Sequence, residues 1–250
     1  MRRWRWAALV AVGCWVGCGE GGSLPTQNQD PPAVTNPDGT VDLPDTPPGD
    51  GTDTPATLTT LWPLTQGSTW TYRIDDPKQG RFEKRVEVLG EQPVPETTMT
   101  AVAMRSTQPH LEELSWQIAK DGVVYRLREE DHKAGALARV TTWNPAAMKS
   151  LDQERPMGWN VESSLNELTR YPNSSREDDT DKKKYIWSVE AVNDTVTTQA
   201  GTFTNAIRLK RERKDKNEPV RTYWLVPGVG KVKETGERTE ELISYDVKKP

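Results

Sequence analysis

From residue 69 onwards, apolar and polar side chains alternate with a period of two, and no long segment shows the 3.6-residue spacing of a helix. Such a pattern confines the chain to sheets. Thr69 to Ile74 places Trp70, Tyr72 and Ile74 on one face, and Phe82, Val86 and Val88 alternate with Arg81, Glu83, Arg85 and Glu87. Trp187, Val189 and Ala191 again share a side. Asp121-Gly122, between Ile118 and Val123, has the residues of a two-residue hairpin turn, and Asp215 to Glu218 reads as a loop. The one helical expectation is a short turn near Pro145 to Leu151.

The sheet-forming region compares with itself. Trp116-Gln117-Ile118 with Gly122-Val123-Val124, and Trp224-Leu225-Val226 with Gly230-Lys231-Val232, both fit W-x-[IV]-x-x-x-G-x-V. Upstream, Val86 to Leu89 matches Val189 to Val192, and Ala101 to Arg105 matches Ala206 to Arg208. A degenerate duplication with half-repeats at about 67–135 and 185–250 accounts for this, as does chance similarity between strand-turn-strand sequences. Two meanders would join into an antiparallel curved sheet or an open or half barrel. Arg139 to Asn144 adds a strand, and 145–184 reads as an irregular insertion ending in a solvated charged run from Arg176 to Lys184.

The first 60 residues are of another kind. Arg2, Arg3 and Arg5 precede an apolar run, Ala7 to Val16, that is too short to span a bilayer. Val16-Gly17-Cys18 resembles the bacterial lipobox, which implies a signal peptide over 1–17 and acylation, with palmitate among the chains, at Cys18. Cys14, after Val12-Gly13, is the alternative. Several acyl chains anchor a protein stably where one does not. Gly19, where an Asp would resemble an inner-membrane retention signal, points to the outer membrane. Residues 18–60 read as a disordered, acidic, Pro/Gly/Thr-rich linker. As a flexible coil its ends would lie roughly 35 Å apart. The β domain then covers 61–250.

Composition excludes several functions. Cys14 and Cys18 are the only cysteines, so the domain has no thiol, disulfide or zinc-cysteine chemistry. Without the three leader arginines and the seven acids between Glu20 and Asp53, 30 bases meet 30 acids. A neutral body does not fit a nucleic-acid partner. The chain has no G-x-S-x-G, H-E-x-x-H or phosphate-loop motif, and no cofactor or metal site is expected. His110 and His132 read as exposed loop residues, and Asp178, Asp179 and Asp181 are compensated by Lys182 to Lys184. An enzyme would have to rely on carboxylates such as Glu129, Glu130 and Asp131, so the expectation is a non-enzymatic protein.

Gly67-Ser68-Thr69-Trp70-Thr71-Tyr72, Gly201-Thr202-Phe203 and Tyr223-Trp224-Leu225-Val226-Pro227-Gly228-Val229-Gly230-Lys231-Val232-Lys233 resemble a pattern of uncharacterised bacterial β-rich secreted proteins and lipoproteins. The resemblance implies an envelope domain distantly similar to the half-barrel lipoprotein carriers, and it brings no catalytic residues. Seven tryptophans and six tyrosines lie beyond the leader, against two phenylalanines. Trp fills cores and also lines grooves. Trp159, Trp143, Trp116 and Tyr125 are the candidate ligand-binding residues. The expected function is to bind an apolar ligand, an envelope lipid or glycan, or a partner protein; a carbohydrate or peptidoglycan module and a purely structural lipoprotein are the alternatives.

Overall fold

The computed structural model describes residues 35–45 and 59–249. Cys14, Cys18 and the whole signal peptide lie outside the described residues, as does most of the linker. Twelve strands follow one another: β1 (Thr69–Asp76), β2 (Gly80–Pro93), β3 (Thr100–Gln108), β4 (Leu111–Lys120), β5 (Val123–Lys133) and β6 (Ala136–Leu151). β7 (Asn160–Arg170), β8 (Asp179–Thr198), β9 (Gly201–Arg213), β10 (Arg221–Val226), β11 (Gly230–Thr235) and β12 (Thr239–Asp246) complete the series. Each pairs antiparallel with its sequence neighbours, and β1 returns to β12 from Thr69↔Asp246 to Asp75↔Thr239. The all-β antiparallel fold expected from the alternation is present. The sheet goes further than an open or half barrel and closes, which removes both free edges.

Strand faces follow the pleat. In β1, Trp70, Tyr72 and Ile74 are buried between less buried neighbours, and in β2 Arg81, Glu83 and Arg85 are exposed beside Lys84 and Val88, which are buried. Lys182, Lys184 and Glu190 of β8 also face outwards. A lipid-facing barrel wall would lose about 2–4 kcal/mol for each Lys or Arg at mid-membrane, so this wall suits water. Among the described residues no helix is long and apolar enough to cross a membrane.

The half-repeat maps onto strands six positions apart in a ring of twelve. β2 to β5 correspond to β8 to β11, and their irregularities correspond as well. Register breaks between Val88 and Gly90 against β3, and between Val189 and Ala191 against β9. It breaks directly after the motif tryptophan in both hairpins, at Trp116/Gln117 and at Trp224/Leu225. The β4–β5 turn is the expected two-residue one, with positive φ at Asp121 and Gly122, as a type I′ turn requires.

Three expectations are corrected. The segment 145–184 is not an irregular insertion: β6 runs through Pro145 to Leu151, β7 follows, and β8 begins at Asp179. The same finding removes the short helical turn. Pro145 lies where β5 and β6 lose register, from Arg126↔Ala147 to Arg128↔Thr142, so its missing N–H interrupts no ladder with β5. Nor is the linker uniform. Residues 35–45 dock on the barrel: Thr98 donates its N–H to Gly39 O at 2.9 Å, and Ala146, in the same break, donates to Asp42 O at 2.8 Å. Val41, 7% exposed, joins the apolar cluster with Trp116 and Leu127. Val41 and Leu43 are few, but a preformed barrel wall needs only a few apolar anchors to hold a short strap.

The chain enters β1, β3, β5, β7, β9 and β11 at one end of the barrel. There Leu61 donates to Asp152 O at 2.7 Å, Thr60 O accepts from Gly228 at 2.9 Å, and Leu61 is fully buried. Residues 59–64 thus floor the barrel at that end.

Candidate functional site

Inward-facing positions of a small barrel are usually filled by apolar side chains. Here part of the interior is, in the cluster of Trp70, Tyr72, Ile74, Val88 and Leu242. Above the floor, however, lies a cavity of about 470 Å³. Trp62 and Pro63 form its base, and Gln108, Glu218, Glu237 and Arg238, at the opposite end of the strands, reach its mouth. Its lining carries ten Lys or Arg and seven Glu, interleaved with Trp62, Trp70, Tyr72, Trp143, Tyr185 and Tyr223. The body is electrically neutral, yet its lumen has a positive excess.

On the β1, β2, β11 and β12 side the charges are mutually satisfied. Glu240 accepts from Lys84 at 2.5 Å, from Lys231 at 2.7 Å and from Arg238 at 2.7 Å. Lys231 also meets Glu234 at 2.5 Å, and the Tyr72 hydroxyl donates to Lys231 O at 2.8 Å. Burial pushes the Glu240 carboxyl up, but Lys231, Lys84 and Arg238 overcome it and hold the group well below the usual carboxylate range. Glu234 behaves likewise, with burial outweighed chiefly by Lys231. Burial alone pulls Lys231 down, and Glu234 and Glu240 raise it above the ordinary amine range.

On the β4 to β7 side pairing is incomplete. Arg126 is bound by Glu129 and lies 4.4 Å over the Trp143 ring. Arg139 holds Asp131 at 2.7 Å and Glu129 at 3.4 Å. Trp143 donates its Nε1 proton to Glu167 at 2.8 Å, and Lys183 meets the other oxygen of that carboxylate at 2.7 Å. Lys149 has no ion-pair partner among the described residues; its Nζ lies 5.7 Å from the Trp62 ring, whose Nε1 donates to Gln117 at 2.9 Å. Burial first, then Arg126 and Lys231, lower the Lys149 pKa to about 7. Glu113, Glu129 and Asp131 bring carboxylate oxygens within 4.8 Å of one another. Burial, then Glu129, raises Glu113, whereas Glu129 and Asp131 are engaged by arginines.

Of the aromatic residues singled out from the sequence, Trp143 lines the lumen. Trp116 and Tyr125 are instead buried in the apolar cluster that the strap and floor complete, and Trp159 packs against that cluster from the β6–β7 connection. Alternation identifies a face but not which face points inwards, and Trp116 falls on the wrong one. Glu130 accepts from Arg128, and His132 sits on β5 beside Glu130 rather than in a loop. His110 lies in a turn and is exposed, as expected. Asp181 is compensated by Arg213 and Lys216, not by the neighbouring lysines; Lys183 points into the lumen between outward Lys182 and Lys184. Sequence reasoning missed Arg126, Lys149 and Glu113. The signal was present in the alternate positions Glu113, Ser115 and Gln117, a polar face opposite Leu114, Trp116 and Ile118.

No family model matches the chain, and no curated protein matches it. Among solved structures, a crystal structure described as "a putative lipoprotein" from Parabacteroides distasonis aligns with a TM-score of 0.38 and 11% identity. The alignment covers 76% of this chain and 100% of that one.

Proposed function

We propose that this chain is a lipid-anchored protein of the bacterial envelope, at the outer membrane, whose barrel binds a polar, ring-bearing solute such as the end of an envelope glycan, without chemical turnover. The observation that carries the reading is the floored lumen, whose charged wall is interleaved with Trp and Tyr. Aromatic faces beside charged and amide groups suit sugar rings and their hydroxyls. The apolar ligand expected first from the sequence fits this wall poorly, because an acyl chain would desolvate charges without pairing them. The lipobox at Cys18 supports the anchor, and the charged outer wall supports a body standing in water.

The test is native mass spectrometry of the full chain, extracted in mild detergent from its own envelope. A co-purifying glycan or other polar solute is the expected result. A bound fatty acid or phospholipid, or a ligand-free mass with Trp fluorescence unmoved by glycan fragments, contradicts the proposal.

A second reading, a glycan hydrolase, rests on the convergence of Glu113, Glu129 and Asp131. Of the three, Glu113 alone has no ion pair among the described residues, and hydrolysis of a glycosidic bond uses two carboxyl groups in distinct protonation states. Release of reducing ends by the wild-type chain and its loss in Glu113→Gln would establish this reading over the first.

A further inference from the structure

We infer that the floor of the lumen receives the anionic group of the ligand, a carboxylate or a phosphate, between the Lys149 ammonium and the Arg126 guanidinium, beside the Trp62 ring. The inference rests on the proposed lumen-binding function and names the chemical class of its ligand.

Pairing within the lumen points there. Of the ten cations in the lining, eight reach a carboxylate within ion-pairing distance, and among the described residues Lys149 and Arg211 do not. Arg211 is covered by the rings of Tyr185, at 4.8 Å, and Trp187, at 5.7 Å. Lys149 lies 5.7 Å from the Trp62 ring and has no ion-pair partner among the described residues. Its neighbour Arg126 is half spoken for: one terminal nitrogen meets Glu129, while its buried Nε has no hydrogen-bond partner. The two share a level of the wall, since Arg126 pairs with Ala147, two residues from Lys149 on the same strand. Placing two cations together in a desolvated pocket is unfavourable until an anion joins them. At the floor the Gln117 oxygen accepts from Trp62 and its amide donates to Ser115 at 2.9 Å, so neither competes for the Lys149 ammonium, while the carboxylates of Glu113 and Glu129 face the two cations.

The same arrangement couples binding to protons. Lys149 is faced by Arg126 from β5, Glu113 from β4, and Lys231 and Glu234 from β11; the two cations and burial together lower it to about 7. A bound anion favours the protonated amine, so binding above neutral pH takes up a proton and weakens as pH rises.

Calorimetric titration of the full chain in detergent, with glucuronate, glucose 6-phosphate and neutral glucose as probes, tests the inference. The expected result is at least tenfold tighter binding of an anionic sugar than of glucose, with proton uptake seen as a dependence on buffer ionisation heat at pH 8. Preference for glucuronate or for glucose 6-phosphate separates the two anions. Lys149→Met is expected to abolish the anion preference and the proton uptake, and Lys149→Arg to keep the preference and lose the uptake. Equal binding of glucose and the anions overturns the anion site while leaving the lumen-binding function standing. No binding of any probe, with a ligand-free native mass, overturns both.

Discussion

Two groups of charges share one lumen and are built differently. Between β1, β2, β11 and β12, Glu240 is reached by Lys84, Lys231 and Arg238, and Glu234 by Lys231 and Arg221. Between β4 and β6, Lys149 and Glu113 have no ion pair among the described residues, though Arg126 and Arg139 beside them do. The first group resembles a buried structural network, in which each member makes the others tolerable. The second leaves a cation that no described residue satisfies. A closed barrel makes the contrast possible, because its wall is held by ladder hydrogen bonds all the way round and does not need a fully apolar interior.

The comparison can be broken most severely on its saturated side. Lys231→Met leaves Glu234 and Glu240 buried with fewer cations, and it should cost about 3–5 kcal/mol in urea denaturation. The pH dependence follows from the same groups. Carboxyls held below their ordinary 4.5 contribute stability that is present above that pH and lost as pH falls beneath it. The wild-type chain should therefore lose stability steeply below about pH 4.5, and Lys231→Met should flatten that limb.

Leu61→Ala comes next. It removes the fully buried side chain that seats the floor, at a cost of about 3 kcal/mol, and should loosen the floor beneath Lys149. Protection of the Gln117 and Lys149 amides from hydrogen exchange would report that loosening directly. Trp143→Phe removes one donor to Glu167 while Lys183 remains, so about 1 kcal/mol is expected by thermal unfolding.

The smallest effect has the opposite sign. Lys149→Met should be neutral or stabilising by about 1 kcal/mol at pH 6, because it removes a charge that has no ion-pair partner among the described residues. An amine whose pKa is lowered to about 7 destabilises the fold fully below that pH, and the penalty fades as pH rises towards its unfolded value near about 10.4. The gain from the substitution should therefore shrink between pH 7 and 10. Equal destabilisation by Lys149→Met and Lys231→Met would remove the distinction between the two groups.

Much of the wall was legible in the sequence. The faces of β1 and β2 and the Asp121-Gly122 turn follow from alternation and turn chemistry. The lumen was not, because a template that seeks apolar residues on the inner face passes over Glu113, Ser115 and Gln117, and over Lys183 within a run of three lysines. Pro145 obscured β6 for a related reason: a register break is a tertiary feature, set by the strand opposite. The strap over 35–45 was hidden by composition, since Val41 and Leu43 acquire meaning only against the wall that buries them. Trp143 alone among the four aromatic candidates reaches the cavity, which shows that residue type without facing does not locate a site.

The central claim is that the lumen is closed electrostatically on one side and open to an anion on the other. Its most direct test is an NMR titration of the Lys149 side chain, with and without glucuronate. The account predicts an amine that titrates near 7 in the free protein and markedly higher once the anion is bound. A Lys149 that titrates near the ordinary 10.5 in the free protein, and does not move when glucuronate is added, would contradict it.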